Sequence, residues 1–203
     1  MDKEAVGAAA NANANFALAL FKKLVKSENL IMSPYSVSSV LSQLCLGAEG
    51  ETASQLKEGL RLKDFDVVKN GFKNFLTQLK TDDALSSANR IYYDANYVFD
   101  KAFIKSTQEF FLAEPVGMDF GQAEQSRTAI NEWVEEQTNK KIQDLISPGS
   151  LSALTKLVLV NAIYFKGDWH VKFDKDKTRK GDFHVSKTKT VQADMMFNNK
   201  EYG

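Results

Sequence analysis

The sequence predicts an α+β fold, and three observations support that prediction. Amphipathic helix patterns come first along the chain, and strand patterns mixed with helices follow them. The segment Leu157–Phe165, with the sequence LVLVNAIYF, is a nearly continuous apolar run, which is typical of a strand buried on both faces of a sheet. The 203 residues contain no internal repeat and no linker rich in proline or glycine, so we expect them to form a single domain.

The first helix is predicted over Phe16–Leu24, where the apolar residues fall on one face. One interpretation of the preceding Ala/Asn tract, Ala8–Asn15, is a ragged terminus. Asn29–Met32 is a short apolar stretch that favours a strand. Ser33 then caps a second helix, and Pro34 suits the first turn of that helix because its missing N–H has no helical partner there.

The second helix is apolar on more than one side, so we expect it to be deeply buried. Its apolar residues are Val37, Val40, Leu41 and Leu44. Thr52 and Gln55 have the spacing of a capping box, which predicts the start of a third helix. A fourth helix, amphipathic and with Val68, Phe72 and Leu76 on its apolar side, is predicted from Phe65 to Leu79.

Strand and helix patterns alternate in the second half of the chain. Ala88–Tyr93 is predicted to be a strand, a helix follows around Phe103–Phe111, and Pro115 biases the residue before it towards an extended backbone. Ala129–Ile146 is the clearest amphipathic helix, with a C-terminal end that the pattern leaves open near Asn139. Two short strands are predicted at Asp182–Val185 and Thr190–Met196.

One amide, Asn161, interrupts the apolar run that ends at Phe165. A buried amide without hydrogen-bond partners costs about 1–3 kcal/mol. We therefore expect Asn161 to form a hydrogen bond with a specific polar group in the middle of this otherwise apolar strand.

Composition and charge exclude several classes of function. Basic and acidic residues number 26 each, so the basic excess typical of nucleic-acid-binding proteins is absent. No apolar run approaches the roughly 18 residues of a membrane span. Neither a nucleic acid nor a membrane is therefore expected as a partner. Cys45 is the only cysteine, so no internal disulfide can form, and the thiol is expected to behave as a small buried hydrophobe.

No catalytic or metal-binding motif is present in the sequence. His170 and His184 are the only histidines and belong to no zinc-ligand motif. Nucleophile-elbow, P-loop and dinucleotide-binding glycine motifs are also missing. We therefore expect no enzymatic activity, no cofactor and no metal. A polyanion could bind a basic patch, but the neutral net charge favours a solvated face. The lysines of that patch are Lys73, Lys80, Lys187 and Lys189.

Several stretches of the chain carry a family resemblance. VNAIYFKGDWHVKF resembles the strand in the middle of the largest sheet of serpins, the serine protease inhibitors that trap proteases by changing shape. Three more stretches resemble serpins in the same order: NLIMSPYSVSSVLSQLCLGAEGETASQL, ANRIYYDANYVFDKAFIKSTQEFFLAEPVGMDF and INEWVEEQTNKKIQDLI. The resemblance covers nearly the whole chain and implies the N-terminal portion of the serpin fold, with helices packed around a central mixed or antiparallel β-sheet. Serpins usually have Gly or Asn where this chain has Lys140.

The resemblance also implies roles for particular residues. The shutter, where two central strands part beneath the sheet, is matched by Ser33, Pro34, Ser36 and Asn161. The breach, where a serpin's reactive loop first enters the sheet, is matched by Lys166, Gly167 and Trp169. Ser33 and Ser36 could supply the polar partners that Asn161 needs. Two simpler explanations stay open, because Ser33 is also explained as a helix cap alone and Trp169 as ordinary core packing.

In serpins the reactive loop lies near the C-terminus, so the resemblance implies that this chain lacks the reactive site. The expected function is inhibition of serine-type endopeptidases by insertion of the cleaved loop into the main sheet, with a serine protease bound through the missing loop. The strand ending at Phe165 should leave an open apolar edge, which the C-terminal remainder of the serpin or self-association covers. A non-inhibitory carrier or chaperone, or an inactive truncated fragment, is the alternative.

The N-terminal residues lack the apolar core of a signal peptide. Either the protein has no leader or the sequence begins after one. Most serpins are secreted, so the resemblance implies an extracellular localisation. The alternative is that this chain belongs to an intracellular serpin.

Overall fold

The computed structural model describes residues 2–26, 28–79 and 85–198. The chain divides into two compact units, Met1–Phe165 and Lys166–Gly203. Each unit contains regular secondary structure, which confirms the predicted α+β class. The expectation of a single domain stays a prediction.

The first unit contains helices and one sheet. Its helices are α1 (Lys3–Leu24), α2 (Pro34–Cys45), α3 (Gly50–Gly59), α4 (Phe65–Leu79), α5 (Lys101–Phe111) and α6 (Ala123–Gln137). Its strands are β1 (Leu85–Asp94), β2 (Glu114–Met118) and β3 (Leu157–Phe165). The second unit contains a short 3₁₀ helix, Lys175–Lys177, and an antiparallel hairpin of β4 (Arg179–Ser186) and β5 (Lys189–Met195).

The sheet of the first unit has the order β2-β1-β3. β1 pairs in parallel with β2 and antiparallel with β3, and the second pairing sets Asn89 opposite Asn161. Among the described strands β3 therefore lies at an edge of the sheet, with β1 as its neighbour on one side only.

Two apolar cores cover the two faces of this sheet. The first core lies on the side of α2, α4 and α5, and includes Phe72, Leu76, Ile91 and Phe111. The second core lies on the side of α6, and includes Tyr92, Phe120, Ile130, Val134, Val160 and Ala162. Side chains of a strand alternate between the two faces, so Leu157 and Leu159 pack against the first core and Val158 and Val160 against the second. The prediction of a strand covered on both faces is confirmed.

Helix α1 is longer than predicted, because the Ala/Asn tract Ala8–Asn15 is helical and not a ragged terminus. Alanine has the highest helix propensity, so the tract favours a helix even though its apolar pattern is weak. Ala5 and Ala12 are buried. The backbone of α1 approaches α4 so closely that a Cβ atom on Gly71 would lie 2.2 Å from the carbonyl oxygen of Ala5. Small residues therefore bring these two helices together.

Two other expectations about local structure are wrong. Asn29–Met32 is not a strand, since no described strand lies beside it to pair with its backbone, and Ile31 is 98% exposed. The capping box is not formed, because α3 already begins at Gly50 and Thr52 lies inside its first turn.

Helix α6 ends at Gln137, close to Asn139, where the sequence pattern left the end of the helix open. The left-handed backbone of Asn139 and Lys140, with φ of 49° and 61°, ends it.

Helix α2 is buried on a different side from the one its sequence suggests. Its buried residues are Ser38, Ser39, Ser42, Gln43 and Cys45. Val40 and Leu41 are only half-buried, and Val37 is exposed. The small serine side chains allow neighbouring elements to approach α2 closely, whereas its apolar side borders an open groove. The expectation of a deeply buried apolar helix is therefore wrong for this part of its surface.

Candidate functional site

The N-terminus of α2 forms one side of the candidate site. The Oγ atom of Ser33 accepts a hydrogen bond from the backbone N–H of Ser36 at 3.2 Å, and Pro34 occupies the first turn. The hydroxyl of Ser36 also donates to the Oγ atom of Ser33 at 2.9 Å. Ser33 is thus the N-cap of α2, as predicted.

Strand β3 forms the other side of the site through its central amide. The Nδ2 group of Asn161 donates to the Oδ1 atom of Asn89 at 2.6 Å. The Nδ2 group of Asn89 in turn donates to the backbone carbonyl of Phe111 at 3.0 Å. A chain of two amides therefore links the edge strand to the end of α5 through the middle of an otherwise apolar sheet.

The partner of Asn161 differs from the one that we expected. Ser33 and Ser36 bond to each other, and Asn89 supplies the partner of Asn161. Asn89 was not predicted as the partner, because the sequence pattern does not show that its strand, ANRIYY, pairs with β3. A sequence signal was nevertheless present, since Asn89 is an amide inside the predicted strand Ala88–Tyr93.

The Oδ1 atom of Asn161 is buried and has no hydrogen-bond partner within the described residues. An unpaired buried acceptor costs about 1–3 kcal/mol. This atom is therefore available to a donor from outside the described part of the chain.

A groove of about 360 Å³ connects α2 to β3. Ser36 and Asn161 both line it, and the rest of its lining is apolar: Val37, Val40, Leu41, Leu145, Ile146, Val158, Leu159 and Val160. No charged side chain of the described residues takes part in the lining. The groove therefore suits an apolar segment with few polar groups, and the outer backbone edge of β3 runs beside it without a paired strand.

Comparison with known proteins identifies the family. The family described as "Serpin (serine protease inhibitor)" matches residues 11–203. The chain belongs to the serpin family. Serpin B6 from Bos taurus is 42% identical over 200 residues, which cover 94% of this chain and 53% of that protein. Leukocyte elastase inhibitor from Bos taurus is 39% identical over 198 residues, which cover 94% of this chain and 52% of that protein.

Among solved structures, ovalbumin from emu (Dromaius novaehollandiae) superposes with a TM-score of 0.86 at 30% identity. The match covers 94% of this chain and 54% of the ovalbumin chain. The present fold is therefore part of the serpin fold, and the chain spans about half the length of the curated serpins that it matches.

The residues that resemble the serpin breach lie in the second unit. Lys166 and Gly167 are exposed and precede the 3₁₀ helix without regular secondary structure. Trp169 is 63% exposed and packs edge-on against Phe173, with ring centroids 5.4 Å apart. In this structure Trp169 is therefore not an ordinary core residue.

The other titratable residues named in the sequence analysis lie in environments that are explained by burial, exposure or a single partner. Cys45 is buried, and burial raises the pKa of its thiol, which suits the predicted small hydrophobe. His170 is exposed, and the Nδ1 atom of His184 lies 2.9 Å from the Oγ1 atom of Thr190 across the hairpin. Lys73 is paired with Glu109 at 3.1 Å, whereas Lys80 lies outside the described residues.

The described part of this serpin chain contains neither a metal-binding cluster nor a helix suited to cross a membrane. Within residues 2–26, 28–79 and 85–198, no group of three or more histidine, cysteine, aspartate or glutamate side chains is arranged to hold a metal ion. Over the same ranges, every helix is too short or too polar to cross a membrane.

Proposed function

We propose that this chain is the N-terminal part of a single inhibitory serpin domain, which blocks serine-type endopeptidases by a suicide-substrate mechanism. The observation that carries the proposal is the outer edge of β3, which has no described strand beside it and borders an apolar groove. The name of one relative, leukocyte elastase inhibitor, supports inhibition of a serine protease as the activity.

The mechanism needs no catalytic residue from the serpin. The target protease cleaves an exposed reactive loop and forms an acyl-enzyme with it. The loop then inserts as a new strand beside β3, where backbone N–H and C=O groups gain partners and apolar side chains are buried. The acylated protease is carried along and distorted before deacylation. In this proposal the loop belongs to the C-terminal remainder of the serpin, and the present chain supplies one wall of the insertion slot.

We assign the shutter to Ser33, Pro34, Ser36 and Asn161. The support is that Ser36 and Asn161 border the same groove, and that the Oδ1 atom of Asn161 is left without a described partner. Asn89 joins this set because it orients the Asn161 amide through the 2.6 Å hydrogen bond. The breach is assigned to Lys166, Gly167 and Trp169 on the resemblance to serpins, and the exposure of Trp169 is compatible with a surface that further chain covers.

An open, apolar strand edge promotes association with other chains. We therefore propose that either the C-terminal remainder of the serpin or a second copy covers β3 in a stable sample. Size-exclusion chromatography with mass spectrometry of the 203-residue chain tests this. A monodisperse monomer of 22.7 kDa that stays in solution would argue against an uncovered apolar edge at β3.

For localisation we propose secretion, with an intracellular serpin as the alternative. Fractionation of the source cells and medium, followed by immunoblotting against the N-terminal half, distinguishes the two. Recovery of the protein from the cytosol alone would make the alternative correct.

The full-length serpin that carries this sequence tests the inhibitory function. It is incubated with trypsin-like, chymotrypsin-like and elastase-like proteases, and the products are examined by denaturing gel electrophoresis. A covalent complex that survives denaturation is expected with at least one protease and not with the same protease after its catalytic serine has been blocked. Cleavage without a complex for every protease would instead favour a non-inhibitory carrier or chaperone.

A further inference from the structure

A second cavity lies at the C-terminal end of α2, and its lining includes none of the shutter or breach residues that the inhibitory proposal uses. It has a volume of about 660 Å³. One wall comes from the end of α2 and the start of α3, and the other from residues 97–100 and the start of α5. Cavities of about 300–1,000 Å³ are typical sites for small molecules. The size is therefore right for a ligand of drug-like dimensions and too small for a folded partner.

The walls of this cavity are mainly apolar and aromatic. Leu44, Leu56 and Phe103 line it together with the ring of Phe99, which is packed edge-on against Tyr97 with centroids 5.3 Å apart. A Cβ atom on Gly47 would lie 2.9 Å from the ring of Phe103. The missing side chain at position 47 thus lets the phenyl ring of Phe103 approach the backbone closely. These rings offer a surface on which an apolar body can stack.

The charged groups at the cavity are acidic. Glu49 and Asp100 line it, and none of its described lining residues is Lys, Arg or His. The Oδ1 atom of Asp100 accepts the backbone N–H of Ala102 at 2.6 Å, which leaves its other oxygen for a ligand. Glu49 makes no side-chain capping bond to α3. Two carboxylates therefore face one apolar cavity without a cation in its lining.

One cation close to the aromatic wall is already paired with an acidic side chain. The Nζ atom of Lys156 lies 5.8 Å from the ring centroid of Tyr97, but it also lies 2.6 Å from the Oδ2 atom of Asp94. Its charge is therefore paired outside the cavity. Aromatic faces attract cations, so the rings and the two carboxylates favour the same sign of ligand charge.

We propose that this cavity binds a small amphipathic cation, with an aromatic or branched aliphatic body and one ammonium group. The body fills the space between Phe99, Phe103 and Leu56, and the ammonium group lies between Glu49 and Asp100. This site goes beyond the proposed protease inhibition, because its lining contains no shutter or breach residue and shares only Leu157 with β3.

A matched pair of fluorescent probes tests the site in the full-length protein. 2-(Naphthalen-2-yl)ethylamine carries the cation, and 2-naphthylacetate presents a similar ring with an anion. Titration followed by naphthalene fluorescence and by calorimetry should give an affinity for the amine at least tenfold above that for the acid. Equal affinities, or no binding of either probe, would overturn the proposal.

Variants locate the binding. Glu49→Gln together with Asp100→Asn should weaken binding of the amine at least fivefold, and asparagine still serves as a helix cap at position 100. Glu58→Gln, an exposed residue of α3 outside the cavity lining, should leave binding unchanged. Ala102→Trp should block both probes, with circular dichroism checking the fold. Amine binding that persists in both cavity variants would contradict the site. If the protein bound a Lys-Phe peptide but not the naphthyl amine, the cavity would instead be a docking site for a protein segment.

Discussion

Asn161 on β3 donates its amide N–H to the Oδ1 atom of Asn89 on β1 at 2.6 Å, directly across the antiparallel pair. Asn89 passes the interaction on to the carbonyl of Phe111. The opposite oxygen of Asn161 has no partner within the described residues. The edge strand is therefore fixed on its inner side and left with an unused acceptor near the groove, an arrangement suited to a strand that gains a neighbour.

Replacing Asn161 with leucine should lower the free energy of unfolding by about 1–3 kcal/mol, because the buried Oδ1 atom of Asn89 then loses its donor. Urea unfolding followed by circular dichroism measures the loss. The double variant with Asn89→Leu should cost less than the sum of the single variants, since the two side chains act as one unit. Strictly additive losses would mean that the two amides do not interact.

Ser36→Leu should ease unwanted strand insertion in the full-length serpin, because the new side chain projects into the groove beside β3 and removes the Ser36–Ser33 hydroxyl bond. Mild heating should then convert the variant, but not the parent, into polymers seen by size-exclusion chromatography. Ser54→Leu is the matched control, since Ser54 is exposed on α3 and lies outside the groove lining. If Ser36→Leu and the parent behave alike on heating, the shutter assignment is wrong.

Helical periodicity was sufficient to predict the bounds and the buried face of a helix where one face is clearly apolar. Helix α4 has the predicted bounds, Phe65–Leu79, and buries Val68, Phe72 and Leu76 as its pattern requires. The same reasoning failed for α2, because periodicity identifies an apolar side but not the neighbour that covers it. In α2 the small serines are among the buried residues, and the apolar side borders the open groove beside β3.

The candidate site could be predicted only in part for a related reason. The need of Asn161 for a polar partner follows from the cost of burying an amide. The identity of that partner follows from strand register, which joins residues 72 positions apart and has no local signal in the sequence. Ser33, by contrast, was predicted correctly as a cap because its partner, the N–H of Ser36, lies within the same turn.

Trp169→Ala should cost the described fold little. A fully packed aromatic residue loses about 3–5 kcal/mol on truncation to alanine, but Trp169 is 63% exposed and has Phe173 as its aromatic neighbour. We expect a loss below about 1.5 kcal/mol, which is well under that of a buried ring. Phe111→Ala, at a position with no exposure, should show the full loss in the same urea assay. A loss of the full size for Trp169→Ala would mean that further chain buries the indole.

Lys140→Gly should stabilise the protein. Lys140 has a φ of 61°, in the left-handed region, while its N–H donates to the carbonyl of Glu135 at 2.7 Å just after α6. A side chain in this region costs about 1–2 kcal/mol, which glycine avoids, and part of that gain is offset by the greater freedom of glycine in the unfolded chain. We expect a rise in the free energy of unfolding of about 1 kcal/mol. Lys141→Gly, at a position without positive φ, is the control and should not stabilise.

The Asp94–Lys156 ion pair should make stability depend on pH. The hydrogen bond from Lys156, and after it the backbone N–H of Asn96, hold the pKa of the Asp94 carboxyl below its ordinary value of 3.8. A carboxyl with a lowered pKa in the folded state stabilises that state above its unfolded pKa, and this contribution disappears as pH falls through the folded pKa. The difference in the free energy of unfolding between the parent and Asp94→Asn should therefore be largest near neutral pH and shrink below about pH 4.

Urea unfolding of both proteins at a series of pH values measures this difference. In a Lys156→Met background the pH dependence of the difference should become smaller. A difference between parent and Asp94→Asn that stays constant from neutral to acidic pH would show that the pair does not lower the pKa of Asp94.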